Sequence, residues 1–426
     1  MKKNILRNML TAIAMLFTMM LALPQQAKAQ VKEAYVVKST DGKTLTFYYD
    51  SQKSSREGTV YGINDTQKEG GSIYPAWTGT FDNANTTVTT TVFDTSFKDY
   101  KPTSTKKWFY NLEALTNING MKDNLNTTEV TNMRTMFYGC NALTSIDLSN
   151  FNTANVTDMA SMFYYCAALT SLDLKNFNTE NVTDMAFMFS DCTALTSLDL
   201  KNFNTAKVND ISYMFYFCTA LTSIDLSNFN TENVADMRYM FYYCTALTSL
   251  DLSSFNTAKV TNMGSMFSDC TALTSLDLKN FNTENVTNMY NMFYKCNALT
   301  SLDLSSFNTA KVTTMEEIFY ECTALTTIYC DDDWARSGIN SNGMFSDCTQ
   351  LKGAVPYDSG KVDIEMANPT TGYFTKTAAT GIISPTIDIP AKKRGIHTLQ
   401  GLKMQGSFDS LPAGIYIVDG RKVVKK

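Results

Sequence analysis

A 26-residue period runs without gaps from Leu125 to Gln350, and it limits the possible folds more than any other feature of the chain. Phenylalanine recurs at Phe151, Phe177, Phe203, Phe229, Phe255, Phe281 and Phe307. Cysteine keeps the same interval at Cys140, Cys166, Cys192, Cys218, Cys244, Cys270, Cys296, Cys322 and Cys348. An ungapped period of this length marks a solenoid, in which a unit too small to bury its own apolar face stacks on copies of itself. Stacking also explains how 426 residues avoid the size limit of a single core, because each coil touches only its neighbours.

One unit, Phe177 to Asn202, shows two periodicities. Val182, Met185, Met188, Phe189 and Cys192 recur at gaps of three, three, one and three, which predicts one face of a short helix with Thr183 and Asp184 at its N-terminal end. Leu198-Asp199-Leu200 alternates apolar and polar, as a short half-buried strand does. The expected fold is an α/β solenoid of strand-plus-short-helix coils with a parallel sheet along one side.

The cysteine ladder sits at the inward end of the expected helix, so it reads as buried, reduced core; free cysteine is among the most buried residue types. A disulfide set is the alternative that export would favour. Metal binding would require clustered ligands of the C-x-x-C type, which the repeats lack. A cysteine nucleophile would require a base, and the single histidine, His397, lies far outside the repeats. No nucleophile–base pair or phosphate-binding glycine loop stands out, so no catalytic residue, cofactor or metal is expected.

Three further ladders lie on the outside of the coil. Asp147, Asp173, Asp199, Asp225, Asp251, Asp277 and Asp303 project from the strand face opposite the leucines, where mutual repulsion is expected to raise some of their pKa values. A solvated polar face is the simpler reading of this ladder than a calcium rail. Units alternate T-E-N and T-A-K after each Phe, so Glu180, Lys207, Glu232, Lys259, Glu284 and Lys311 alternate in sign and disfavour slippage by one coil. Tyr164, Tyr165, Tyr216, Phe217, Tyr242, Tyr243, Tyr294 and Tyr320 follow the buried helix Phe, and Phe187, Tyr213, Tyr239 and Tyr290 precede it. They read either as filler between coils or as a contact stripe, since aromatics dominate interface hot spots. Every third unit carries Ser-Asp there instead, at Ser190-Asp191, Ser268-Asp269 and Ser346-Asp347.

The flanks differ from the array. Lys2, Lys3 and Arg7, an apolar run from Met9 to Leu23 and Ala27-Lys28-Ala29 predict an export signal over 1–29, cut after Ala29. Residues 30–107 read as a β-rich cap containing a hairpin about Asp41-Gly42. The solenoid is expected over 108–375, a linker over 376–393 and a C-terminal β hairpin over 394–426. A net charge of −5 without a basic block argues against nucleic acid, and no later segment is apolar enough to span a bilayer.

The combination F-N-T-x-x-V-T-x-M-x-x-M-F-x-x-C-x-A-L-T-S-L-D-L, from about Trp108 to Phe374, resembles the BspA-like family of bacterial leucine-rich-repeat surface proteins. The resemblance implies a surface location and attachment to host or microbial proteins. Carbohydrate binding through exposed tyrosines is the alternative. The ending Gly395 to Lys426, with two strands about Asp419-Gly420 over Leu411 to Val424, resembles a shortened sorting domain of type IX secretion substrates, with a plain terminal hairpin as the other reading.

Overall fold

The computed structural model describes residues 9, 11, 31–377, 396–398, 414–418 and 421–425. Most of the expected export signal and of the expected linker lies outside the described residues. The chain divides into two units, Met1–Thr375 and Lys376–Lys426.

The first unit begins with a sheet. Strands β1 (Glu33–Lys38) and β2 (Thr44–Asp50) pair antiparallel around a turn in which Gly42 has φ +74°, a conformation suited to glycine. β3 (Thr59–Gly62) flanks β1, and β4 (Thr66–Glu69) and β5 (Ser72–Pro75) form a separate hairpin. β6 (Thr90–Phe93) joins β2 in parallel, and β7 (Asn117–Asn119) joins β6 in parallel. β7 belongs to the first coil, so the N-terminal sheet continues directly into the array. Phe47 stacks on Phe93 at 4.6 Å and on Trp108 at 5.5 Å, and the Trp77 indole donates to the Trp108 carbonyl, which seals the first coil.

Each coil buries the residues that its pattern marks as apolar: Val182, Met185, Met188, Phe189, Cys192, Leu195, Leu198 and Leu200 are all sealed from water. The expected helix does not form. Over Met159 to Leu169 the backbone makes successive three-residue turns, with Met162 N–H bonded to Met159 C=O, Tyr164 to Ser161, Cys166 to Phe163 and Leu169 to Cys166. The intervening N–H groups of Met159, Ser161, Phe163 and Tyr165 donate instead to Asp184, Ala186, Met188 and Ser190 of the next coil. A helix would spend every N–H within its own segment. Here half of them knit neighbouring coils together, and the three-residue recurrence that suggests a helix is also the recurrence of chained turns. Within residues 31–377 the one α-helix is α1, Met121–Asn124.

The expected continuous parallel sheet is also interrupted. Strand pairing is regular only between β8 (Ser197–Asp199) and β9 (Ser223–Asp225), and among β10 (Ser301–Asp303), β11 (Thr327–Tyr329) and β12 (Phe374–Thr375). The aspartate that ends β8, β9 and β10 accepts the N–H two residues on, as Asp199 does from Lys201 at 3.1 Å, and so turns the chain at once. These bonds outweigh the mutual repulsion along the Asp ladder, so the expected rise in pKa does not occur at Asp147, Asp173, Asp225 and Asp251. The Asp147 carboxyl is pulled down to about 2 by the Ser149 hydroxyl and N–H, and those of Asp173, Asp225 and Asp251 are also lowered. A second ladder on the far side of the coil is a column of parallel bridges from Ser104 through Asp184 to Asn340.

The charge alternation works differently from the expected Glu–Lys pairing. Lys207, Lys259 and Lys311 each reach the side-chain oxygen of Asn181, Asn233 and Asn285 in the preceding coil, at 2.6–2.7 Å. Slipping by one coil would set lysine beside lysine and remove the acceptor.

At the far end Trp334 takes the place of the repeating Phe, stacking on Phe307 at 6.4 Å and meeting Phe374 edge-on at 4.9 Å. β12 then lies parallel to β11 and closes the array. In the second unit β13 (Ile396–Thr398), β14 (Gly414–Val418) and β15 (Arg421–Lys425) form an antiparallel three-stranded sheet.

Candidate functional site

The chained turns determine which side chains leave the core. Each coil has two residues with positive φ, four apart: Ser161 and Tyr165, Phe187 and Asp191, Tyr213 and Phe217, Tyr239 and Tyr243, and onward to Glu317 and Glu321. Left-handed backbone costs a non-glycine residue about 1–2 kcal/mol. Glycine fits these columns where it occurs, since Gly139 and Gly343 fall in them with φ +71° and +65°.

Aromatic residues nevertheless crowd these strained positions over four successive coils, from Tyr165 to Tyr243. Phe187, Tyr213 and Tyr239 stack in a row at 4.3 and 4.7 Å. Phe217 stacks on Tyr243 at 4.5 Å, and Tyr216 on Tyr242 at 5.0 Å. Tyr164 joins the row by meeting Phe187 edge-on at 5.8 Å, with Tyr165 beside it. Six of the eight sequence-predicted contact residues therefore belong to one network. Tyr294 and Tyr320 form a separate stacked pair at 4.9 Å. Tyr290 stands one position earlier in the turn than Phe187, Tyr213 and Tyr239, and no ring contact among the described residues involves it. Tyr165 and Tyr243 are the most open of the network, at 45% and 37% exposure; Tyr164, Tyr216, Phe217 and Tyr242 are half-buried.

Ser-Asp interrupts the rings at intervals of three coils. Ser190 is buried and donates its hydroxyl to Asp191 at 2.8 Å; Ser268 does the same to Asp269 at 2.9 Å. Burial raises the carboxyls of both aspartates, opposed by their serine hydroxyls. Burial also pushes the phenols of Tyr164 and Tyr242 up to about 12, reinforced by Asp191 and Asp269 respectively. The face is thus a field of neutral rings with inset carboxylates. Near it, Arg134 bridges the half-buried Asp158 and Asp184 of the next two coils, at 3.5 and 2.9 Å.

The cysteine ladder carries no reactive group. All the cysteines are free and buried, and each repeat thiol donates to the carbonyl of a Phe in the preceding coil, as Cys192 does to Phe163 at 3.3 Å. Burial pushes the thiols of Cys166, Cys192, Cys218, Cys244, Cys296 and Cys322 well above the ordinary range. Among the described residues no cluster of His, Cys, Asp and Glu is arranged to hold a metal, and no helix is long and apolar enough to cross a membrane.

No curated protein matches the chain. Among solved structures, a leucine rich cell surface protein from Faecalibacterium prausnitzii A2-165 is 20% identical with a TM-score of 0.33, over 75% of this chain and 92% of that one. A TLR13–ssRNA13 complex aligns at 16% identity and a TM-score of 0.25, over 62% of this chain and 43% of that one. A leucine-rich repeat protein from Eubacterium ventriosum ATCC 27560 aligns at 16% and 0.21, over 60% and 90%. One family model matches three times in overlapping stretches, at residues 103–223, 185–296 and 248–358, which together span more than half of the chain and all of the chained-turn coils from Asn132 to Met344. By that match the chain is a member of the family described as "Mycoplasma protein of unknown function, DUF285".

Proposed function

We propose that this chain is an exported bacterial surface protein that binds other proteins, of a host or of neighbouring microbes, through the aromatic face of its coils. The observation that carries the reading is the placement of Tyr165, Phe187, Tyr213, Phe217, Tyr239 and Tyr243 at left-handed positions that Gly139 and Gly343 occupy elsewhere without strain. Bulky rings held in strained backbone are a sign of a role other than stability. Large rigid rings also cover contact area at low entropy cost. In this reading the role is binding rather than catalysis: the cysteines are buried, away from any substrate, and His397 belongs to the other unit.

Export follows, in this reading, from the N-terminal signal over 1–29, and delivery to the outer surface from the C-terminal residues 394–426 acting as a sorting segment of the type IX kind. The β-rich segment 30–107 then serves as the cap of the array, and 376–393 as the linker to the sorting segment.

The test is a pull-down of host matrix proteins and of whole bacteria with the mature chain and with a Tyr165→Ser/Phe217→Ser/Tyr243→Ser variant. Partner capture by the mature chain and its loss in the variant support the reading. Undiminished capture by the variant rejects it, and a glycan-array signal without protein capture favours the carbohydrate alternative.

A further inference from the structure

The Ser190-Asp191 break in the aromatic face has a carboxylate at its floor and rings on both sides. The coil before it carries Tyr164-Tyr165 and the coil after it Tyr216-Phe217, so one coil's pair of rings is missing between two walls. Walls two coils apart stand about 10 Å from each other, at roughly 4.8 Å per coil. In the column of Tyr165 and Phe217 that is the span of one side chain, whereas beside it Phe187 of the break's own coil already meets Tyr164 edge-on at 5.8 Å. Asp191 is half-buried, its carboxylate accepts the Ser190 hydroxyl, and no lysine or arginine among the described residues forms an ion pair with it.

The second such break has a cation close by, and that cation pairs with Glu321 of the following coil rather than with the Asp of the break. Three coils on, Ser268-Asp269 lies between Tyr242-Tyr243 and Tyr294-Lys295, so lysine stands where the first break has Phe217. The Lys295 ammonium lies 5.1 Å from the Tyr294 ring centre and 3.7 Å from Glu321, and its charge offsets the effect of burial on Asp269. In the N-terminal sheet Arg56 likewise lies over the Tyr48 ring at 3.7 Å while paired to Asp50. Ring, carboxylate and cation thus form a set that this chain completes twice from its own residues. At Asp191 the rings and the carboxylate are present and the cation is not.

Building on the protein-binding role proposed above, we propose that the Ser190-Asp191 break is a socket for a lysine or arginine side chain of a protein partner. A cation between ring faces gains from the ring quadrupoles, and a half-buried carboxylate without a counter-charge gains most from a charged donor. A neutral sugar would use the rings and leave the carboxylate unmatched.

The test is saturation-transfer NMR of the mature chain with three capped tripeptides, Ac-Gly-Lys-Gly-NH2, Ac-Gly-Arg-Gly-NH2 and Ac-Gly-Gln-Gly-NH2. The lysine and arginine peptides are expected to receive saturation and the glutamine peptide is not. Asp191→Asn should weaken the transfer at least tenfold, and Phe217→Lys, which copies Lys295, should abolish it by filling the socket. Lys295→Gln should add a second site at Asp269, a gain that misfolding cannot imitate. Equal transfer to the glutamine peptide, or transfer that survives Asp191→Asn, overturns the proposal, as does transfer to methyl glucoside with none to the peptides. If Asp191→Asn still captures the protein partner while the triple ring variant does not, the socket alone fails. If the triple ring variant also captures it, the wider reading fails.

Discussion

The Thr179 hydroxyl satisfies both backbone groups of Asn204 in the next coil, donating to its carbonyl at 3.0 Å and accepting from its N–H at 2.8 Å. The same pair recurs as Thr153 with Asn178, Thr205 with Asn230 and Thr231 with Asn256. The threonines are buried, so water cannot replace them. Thr205→Val keeps the shape and leaves two backbone groups orphaned, at about 1–3 kcal/mol each. A loss of about 2–6 kcal/mol is expected, read as a lower midpoint of urea unfolding followed by circular dichroism, with Thr205→Ser retaining most of the stability. An unchanged midpoint for the valine variant would show that these bonds add nothing to the array.

Two glycine exchanges should move stability in opposite directions. Ser265 has φ +55°, is 1% exposed, and its hydroxyl has no hydrogen-bond partner. Ser265→Gly removes both the left-handed strain and the unmatched hydroxyl, and a gain of about 1–3 kcal/mol is expected. Gly139 has φ +71°, and a Cβ there would run into the Asn111 side-chain oxygen. Gly139→Ala should therefore lower the thermal midpoint while Ser265→Gly raises it. Shifts of the same sign would contradict the turn geometry.

Trp334 closes the far end, and truncating it should expose the coil beneath. Trp334→Ala removes the stack on Phe307 and the contact with Phe374, a change expected to cost about 3–5 kcal/mol. Contacts in a solenoid are between neighbours, so the loss should stay near the C-terminal coils. Hydrogen exchange is expected to speed up over Thr327–Tyr329 and Phe374–Thr375 and to stay slow over Ser197–Asp199. Uniform acceleration along the array would show instead that the coils unfold as one unit.

The interior of the coil was readable from its period, since every apolar position from Val182 to Leu200 lies where the pattern puts it. The backbone that delivers those side chains was not. Helix turns and chained three-residue turns bring Met185, Met188 and Phe189 to the same side, so burial pattern alone does not separate them. Gly139 and Gly343, in columns otherwise held by Tyr165 and Phe187, were the available signal for left-handed backbone. The Thr of each F-N-T was visible as a repeat, yet its partner lies 25 residues away in the next coil and no local rule points to it. Trp334 escapes the pattern because the spacing slips by one residue and leaves Asp333 at the Phe position. The rings of the candidate face were named from the sequence, whereas their division into one network and the separate Tyr294–Tyr320 pair depends on coil-to-coil stacking.

The thiol ladder makes alkaline pH the weak point of the array. An unfolded cysteine ionises near pH 8.5. In the folded coils burial holds the thiols higher, with Cys270 pushed up to about 12 and Cys330 to about 11. Above pH 8.5 the unfolded chain releases thiol protons that the folded chain retains, so the unfolded state binds fewer protons and stability falls as pH rises. The stabilisation is complete below pH 8.5 and disappears as pH climbs through the folded values, at about 1.4 kcal/mol per pH unit for each such thiol. Many thiols in one stack make the fall steep. Unfolding is expected to begin between pH 8.5 and 10, below the ordinary tyrosine range, when followed by circular dichroism under reducing conditions. Replacing Cys192, Cys218 and Cys244 together by alanine should flatten the pH slope even if it lowers stability at pH 7, which separates the proton effect from lost packing. At pH 8 Ellman's reagent should leave the folded chain unlabelled and react once urea unfolds it. Rapid labelling of the native chain, or a pH slope that the triple variant shares unchanged, would mean that the thiols are open to water and that the stack is not sealed.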